Sequence, residues 1–464
     1  MRSRSGRHPS ASLAVFLSFL WPGWGQWYLG RPRAAIGQAA LAAIATLILA
    51  FAFRDGLQAL AARLFVPSFS LSLLGLIGVL ALLRLFSMVD AWRRVVPLGR
   101  AGRSRATAVL APLVAVILAS HGAAAYLTWA FYDAGSRIFV GQAPPAAAPS
   151  TPSPPQASGR IPPTIKPVDD FLATPDATPE NEKARITILF TGIDSGADRQ
   201  HALTDTLLIV SIDPETGQVA MVSFPRDIAE FPLYDGRTYT GKINSLMTSA
   251  RLYPKLYPDG PLPTLTKELG YLLGVPINYF AAVNLDGFRE MIDLVGGVDV
   301  VNPRTISDPY YDWLDGKHWG FYLKAGPVHL DGRTALAFVR SRMGAGDNDF
   351  TRAARQQLLL LALRDELLHP AMITKLPSIL DAASRTVRTN FPSERLEEMV
   401  ALGDDVREED IRRFVLGPPY SYHPPTRSTG GTYILRLYMD KLAALSVELF
   451  GEDSRYYTGP TAGP

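Results

Sequence analysis

Cysteine is absent from this 464-residue chain. That excludes thiolate zinc sites, iron–sulfur clusters, thiol nucleophiles and disulfides, and it suits a domain that folds outside the cytoplasm without oxidative help. Histidine is scarce, and its seven residues are scattered without ligand spacing, so they read as structural or solvent-exposed. Net charge is small: 46 Lys and Arg against 43 Asp and Glu leave +3, and nothing in that balance points to nucleic acid. There is no Gly-x-x-x-x-Gly-Lys-Ser/Thr phosphate loop and no internal repeat.

Long apolar runs are present, and only at one end. Residues 34–53, 71–89 and 107–131 are apolar, each near the roughly 20 residues a helix needs to cross a bilayer. Arg2, Arg4, Arg7, Arg31 and Arg33 precede the first run, and Arg93, Arg94, Arg100, Arg103 and Arg105 separate the second from the third. The positive-inside rule makes those segments cytoplasmic and places everything after the third run outside. Leu13 to Gly30 is also apolar, but Trp21-Pro-Gly-Trp-Gly-Gln26 interrupts it. Pro and two Gly in so short a run disfavour a full span, and the Trp-rich composition suits an interfacial or re-entrant segment.

The expected organisation follows. Residues 1–33 form a cytoplasmic N-terminus with the interfacial segment, and 34–133 a three-helix transmembrane anchor. Residues 134–184 form a Pro-rich extracytoplasmic linker, too poor in apolar residues to bury a core. Residues 185–450 form an α/β domain, and 451–464 a disordered tail. Within the α/β domain, Ile186 to Gly192, Leu207 to Ile212, Val219 to Phe224, Ile277 to Val283 and Val298 to Val301 read as strands. Helices are expected around Leu265 to Leu273, Asp286 to Val295, Asp331 to Val339, and from Phe350 to about Leu368. Alternating strands and helices imply a sheet covered by helices.

The chemistry-bearing residues gather at the ends of these elements: Asp194, Asp205, Arg226 with Asp227, Lys242, Asn244, Arg340, Arg342, Asp349, Arg352, Arg355 and Gln356. Guanidinium forks match phosphate oxygens, and the start of a helix favours anions. Carboxylates alone would repel a phosphate, and a hard divalent cation reconciles the two. Together they suggest a pyrophosphate site with Mg²⁺, Mn²⁺ being the alternative. Taken singly, each also has a plain structural reading. Arg226 and Asp227 make a surface ion pair, Asp205-Thr206 a turn, Arg340 and Arg342 a solvated helix end, and Arg352, Arg355 and Gln356 an exposed helix face.

The ordered set Gly192-Ile-Asp194, Thr204-Asp-Thr206, Val222-Ser-Phe-Pro-Arg-Asp227, Lys242-Ile-Asn244, Val283-Asn-Leu-Asp-Gly-Phe288, Gly296-Gly-Val-Asp-Val300, Leu330 to Arg342, and Asp349-Phe-Thr-Arg352 with Arg355-Gln-Gln357 resembles the LytR-CpsA-Psr family over about Arg185 to Phe450. The resemblance implies an extracytoplasmic α/β/α sandwich. It also implies an enzyme, a phosphotransferase that moves a glycopolymer such as teichoic acid from an undecaprenyl- or decaprenyl-type pyrophosphate carrier to peptidoglycan. Carried over, Asp194 and Asp205 hold Mg²⁺. Arg226, Arg340, Arg342, Arg352 and Gln356 bind the pyrophosphate, and Asp349 orients the arginines. Lys242, Asn244 and Arg355 contact the head group or its surroundings, and apolar core residues form a lipid slot. The partners implied are the lipid-linked donor, the peptidoglycan acceptor and membrane lipids. Two departures stand out: Leu203 occupies a position that is often Arg, and Ser245-Leu-Met-Thr-Ser249 replaces the glycines usual after Lys-Ile-Asn. A polyprenyl-pyrophosphate hydrolase and a non-catalytic lipid-glycan sensor or transcription attenuator are the competing classes.

Overall fold

A computed structural model of the protein describes residues 10–95, 100–140, 185–193, 204–313, 317–367 and 369–458. The chain divides into two compact units, Met1–Ser136 and Arg137–Pro464. Most of the expected Pro-rich linker, residues 141–184, lies outside the described residues.

The first unit is helical: α1 (Ala11–Leu20), α2 (Trp24–Tyr28), α3 (Pro32–Ala52), α4 (Gly56–Leu64), α5 (Pro67–Val95) and α6 (Arg100–Ile138), the last running two residues past the division. Three stretches, Pro32–Ala52, Pro67–Arg94 and Ser104–Ile138, are long and apolar enough to cross a membrane, with mean hydropathy 2.1, 2.2 and 2.0. They contain the three expected runs to within a residue. The expected loop between the first two runs instead carries the short helix α4.

The Trp-Pro-Gly-Trp-Gly-Gln segment separates α1 from α2 because Gly23 takes φ 100°, a left-handed conformation open to Gly. A Cβ on Gly25 would lie 2.0 Å from Ser18 Oγ, so its bare backbone lets α2 pack against α1. Gln26, fully buried, donates through Nε2 to the Ser87 carbonyl at 2.8 Å and accepts at Oε1 from Ser87 Oγ at 3.1 Å. Arg31 pairs with Asp90 at 2.9 Å. These polar contacts tie the segment to α5.

The second unit is built on a six-stranded mixed sheet. Its elements in chain order are β1 (Ile186–Ile193), β2 (Thr204–Ile212), β3 (Val219–Ser223), β4 (Ala229–Pro232), β5 (Thr238–Lys242), α7 (Leu246–Leu252), α8 (Pro261–Leu273), β6 (Tyr279–Asn284), α9 (Leu285–Val295) and β7 (Val298–Asn302). Then follow β8 (Ile306–Asp312), β9 (Trp319–Leu323), β10 (Gly326–Leu330), α10 (Gly332–Arg340), α11 (Asp349–Leu367), α12 (Leu376–Thr386) and β11 (Val387–Thr389). The last are α13 (Leu396–Asp405), β12 (Ile411–Val415), β13 (Ser421–Tyr422), β14 (Arg436–Leu437) and α14 (Met439–Phe450).

The sheet order is β11-β6-β1-β2-β3-β12. The β1–β2, β2–β3 and β6–β11 pairs are antiparallel, whereas β1–β6 and β3–β12 are parallel. Strand side chains alternate between faces, and both faces here are apolar. Leu207 and Ile209 join a core with Leu265 and Leu269 of α8, Met247 of α7 and Leu442 of α14. Leu208 and Met221 point the other way and pack with Leu360 and Leu361 of α11. Helices therefore cover both faces, as the continuous apolar runs imply. A further core joins α9, α10, α11 and β7 through Ile292, Val298, Phe338 and Leu359.

The expected tail begins later than residue 451. The Arg455 N–H donates to the Gly274 carbonyl at 2.8 Å, the Tyr456 hydroxyl donates to the Leu272 carbonyl at 3.0 Å, and Arg455 stacks over Tyr271. These bonds fasten 451–457 to the end of α8. Residues 459–464 lie outside the described residues.

Candidate functional site

Strand β3 ends one residue before the buried Phe224, and the chain turns there to present Arg226 and Asp227. Helix α11 begins at Asp349 behind a reciprocal cap: Asn348 Oδ1 accepts the Thr351 N–H at 3.0 Å, and Thr351 Oγ1 accepts the Asn348 N–H at 3.1 Å. The two segments meet at Asp349. Its Oδ2 accepts the Arg226 backbone N–H at 3.0 Å, while Oδ1 lies 2.6 Å from the Arg352 guanidinium and 3.8 Å from that of Arg226. Burial raises the Asp349 carboxyl above the usual carboxylate range, and Arg352 and Arg226 work against that rise. Beside them, Lys242 Nζ lies 2.5 Å from Asp227 Oδ1. Asn244 is buried, and its carbonyl accepts the Thr204 hydroxyl at 3.4 Å, just before Asp205.

Arg340 closes α10, whose N-cap Asp331 accepts the Thr334 N–H at 2.7 Å. Arg340 lies near Tyr311: burial raises that phenol, and the Arg340 charge opposes the rise. The chain from Ser341 to Met343 is held by a residue that no motif singles out. Asp308, 2% exposed, accepts the Ser341 hydroxyl at 2.8 Å and the Arg342 and Met343 N–H groups at 3.2 and 3.1 Å through one oxygen. Asp308 sits on β8, which pairs antiparallel with β9 in a hairpin without a clear apolar alternation.

Arg355 is also placed differently from its neighbours on α11. It is 3% exposed, donates to the Ser341 carbonyl at 2.5 Å and lies 3.6 Å from Asp347. Burial lowers its guanidinium below the usual range, and Asp347 opposes this. It is a strut between α11 and the Arg340–Arg342 segment, not part of an exposed helix face. Gln356 turns the other way, donating weakly to the Val339 carbonyl at 3.4 Å. It lines an apolar cavity of about 110 Å³ with Gly192, Thr206, Val283, Phe288 and Leu360. Gln357, quoted only as part of a motif, is buried and donates to Ser223 Oγ at 2.9 Å and the Phe414 carbonyl at 3.0 Å, which pins α11 to β3 and β12.

The two carboxylates expected to hold a metal are less fully described. Asp194 lies outside the described residues, and of Asp205 only the backbone is described. The β1–β2 register shifts between Gly192, opposite Thr206, and Ile193, opposite Thr204. Asp205 is thus the extra residue of a bulge. The bulge lies next to the cavity lined by Gly192 and Thr206. Among the described residues no cluster of three or more His, Asp or Glu is placed to hold a metal.

The LytR_cpsA_psr family model matches residues 165–422, more than half of the chain. The chain belongs to the LytR_cpsA_psr family. It is 33% identical over 222 residues to a Bacillus subtilis (strain 168) relative named "Polyisoprenyl-teichoic acid--peptidoglycan teichoic acid transferase TagV", a match spanning 48% of this chain and 53% of the relative. It is 29% identical over 214 residues to TagU of Bacillus cereus (strain AH820), which bears the same transferase name, spanning 46% and 63%. The chain thus spans between half and two thirds of the length of these curated relatives. Among solved structures it resembles the crystal structure of B. subtilis TagV with 26% identity and a TM-score of 0.46, covering 60% of this chain and 100% of that one. The family match encloses every candidate site residue named above, from Asp194 to Gln356.

Proposed function

We propose that this chain is an enzyme that transfers a phosphate-linked glycopolymer, of the teichoic acid class, from a polyprenyl pyrophosphate carrier to peptidoglycan. The observation that carries the reading is the shared grip of Asp349 on Arg226 and Arg352, in a chain of this family. The apolar cavity lined by Gln356 and by Val339, the residue before Arg340, supports the lipid part, because it offers an isoprenoid chain an apolar slot. The three long apolar helices support a multi-pass anchor with its N-terminus in the cytoplasm. The α/β domain then lies outside, an α/β/α sandwich reached through the Pro-rich linker.

In this mechanism Arg226, Arg340, Arg342 and Arg352 hold the pyrophosphate oxygens, and Asp349 fixes the first and last of them before substrate arrives. Preorganised donors of this kind need no rearrangement as charge develops. Gln356 contacts the pyrophosphate from the cavity side. Lys242 and Asn244 border the head group, with Lys242 held by Asp227. Asp194 and Asp205 are the residues that would hold Mg²⁺ or Mn²⁺. Such a cation, when bound, neutralises pyrophosphate charge and aligns its oxygens for in-line displacement. A peptidoglycan sugar hydroxyl attacks the glycan-side phosphorus, a new P–O bond forms, the bridging P–O bond breaks to release polyprenyl phosphate, and the hydroxyl proton passes to solvent.

The test uses the full chain in nanodiscs with Mg²⁺, a glycan-loaded polyprenyl pyrophosphate and peptidoglycan fragments, and follows products by mass spectrometry. A glycan phosphate joined to the fragment is expected. Polyprenyl phosphate released without a joined product, or donor binding without turnover, overturns the transferase reading.

A further inference from the structure

The segment after β13 runs beside the arginine cluster, and the site described so far makes no use of it. Leu435 pairs in parallel with Ile228. Its N–H donates to the Asp227 carbonyl at 2.9 Å, and its own carbonyl accepts the Ala229 N–H at 2.9 Å. Tyr433, two residues before Leu435, lies close enough to Asp227 and Asp349 for both carboxylates to act on its hydroxyl. The Tyr433 ring stacks on that of His423, with centroids 4.5 Å apart and planes 31° from parallel. His423 Nδ1 lies 2.8 Å from the Ile434 carbonyl, a bond that fixes the imidazole as the backing of the pair. Tyr433 nevertheless remains 48% exposed. A second stacked pair, Tyr422 and Tyr438 at 4.7 Å, flanks the first through the β13–β14 ladder.

We propose that Tyr433, backed by His423, is a saccharide-binding platform at the rim of the Arg226–Asp349 cluster that takes the apolar face of a pyranose ring. Isolated exposed aromatics need no explanation. Here, however, the ring is held in one orientation by a stacked partner and a backbone-bonded segment, next to paired charges. A pyranose has one face of C–H bonds and a rim of hydroxyls. The C–H face complements the electron-rich face of a phenol ring, and the hydroxyl rim meets the Asp227–Lys242 pair. Burial raises the Tyr433 hydroxyl above its usual range, and Asp227 and Asp349 add to the rise. The choice of ligand rests on the transferase reading, in which both donor and acceptor carry sugars.

The experiment measures binding to the full chain in nanodiscs, wild type against Y433L and Y433F. One arm uses a peptidoglycan oligosaccharide, and the other a lipid-linked glycan pyrophosphate. Thermal melting of each variant confirms folding. Y433L keeps apolar bulk but removes the π face, and a loss of about tenfold in affinity is expected in one arm, with Y433F within about twofold of wild type. Loss confined to the oligosaccharide arm places the platform on the acceptor side, and loss confined to the lipid-linked arm places it on the donor side. Unchanged binding of both ligands by Y433L overturns the proposal. So does wild-type affinity lost equally for a glycan-free polyprenyl pyrophosphate, because that ligand carries no sugar. The readout is binding, so a chain that binds sugar through Tyr433 but joins no product would sink the transferase reading and leave the platform standing.

Discussion

The Asp349 carboxylate accepts the backbone N–H of Arg226 at 3.0 Å, across 123 positions of sequence. One side chain at the start of α11 thereby sets where the turn after β3 sits. Asp349→Asn keeps an oxygen for that N–H but removes the charge beside Arg352. A fall of about 10²–10³ in kcat is expected, the scale of losing one preorganised electrostatic group. Thermal stability should change far less. Glycan transfer by the purified variant measures the first, and calorimetry the second.

Asp308 predicts a different phenotype. Asp308→Ala strands the Ser341 hydroxyl and two backbone N–H groups, and each buried donor left unsatisfied costs about 1–3 kcal/mol. Ser341→Ala removes only one of these contacts and should be milder. Denaturant unfolding of both variants, compared with wild type, gives the ranking. Equal stability of the two would remove Asp308 as the anchor of the Arg340–Arg342 segment.

The apolar cavity can be filled. Leu360→Trp places an indole where Leu360 lines the space, at an overpacking cost of about 1–3 kcal/mol. If the cavity holds isoprenoid units, KM for a long-chain donor rises several-fold, while a donor with one or two units is used as before. A parallel rise for both donors would place the lipid elsewhere.

Acid should act through Asp331. Its hydrogen bonds to Thr334, side chain first and then backbone, hold its folded-state pKa below the ordinary carboxylate value. A depressed folded-state value means that the stabilisation is complete above the unfolded pKa and is lost as pH falls through the folded one. Asp331→Ala should cost about 1 kcal/mol at neutral pH, as for other lost N-caps. That difference should shrink toward zero at the acid end of a stability–pH profile.

Much of this architecture was legible in the residues. The membrane-length helices follow from three long apolar runs, the second broken only by Arg84, and β1 to β3 from short β-branched stretches bounded by turn residues. The Asp331 cap and the start of α11 follow from residue type and position. The side chains of α11 were less legible. Positions three and four after Arg352 were expected to share its face, yet they lie on either side of it, about 100° apart around the helix. Arg355 therefore turns inward to Ser341 while Gln356 faces the cavity. Strand β12, with Arg412 and Arg413 at its centre, has no apolar alternation to announce it; its place comes from pairing with β3. Asp308 is equally silent in sequence, because its partners are more than 30 residues away.

That pairing of β3 with β12 also orders events in time. Val219 meets Ile411, and β1 meets β6 across about ninety residues. Contacts this distant in sequence make a domain slow to fold. As the polypeptide emerges from the ribosome, β3 has an open edge until residue 415 has appeared, and α14 joins its core later still. The arginines are all present by residue 355, but the sheet that carries Arg226 is completed only by β12, and a chain cut short before β12 would present an unpaired strand for association with other chains.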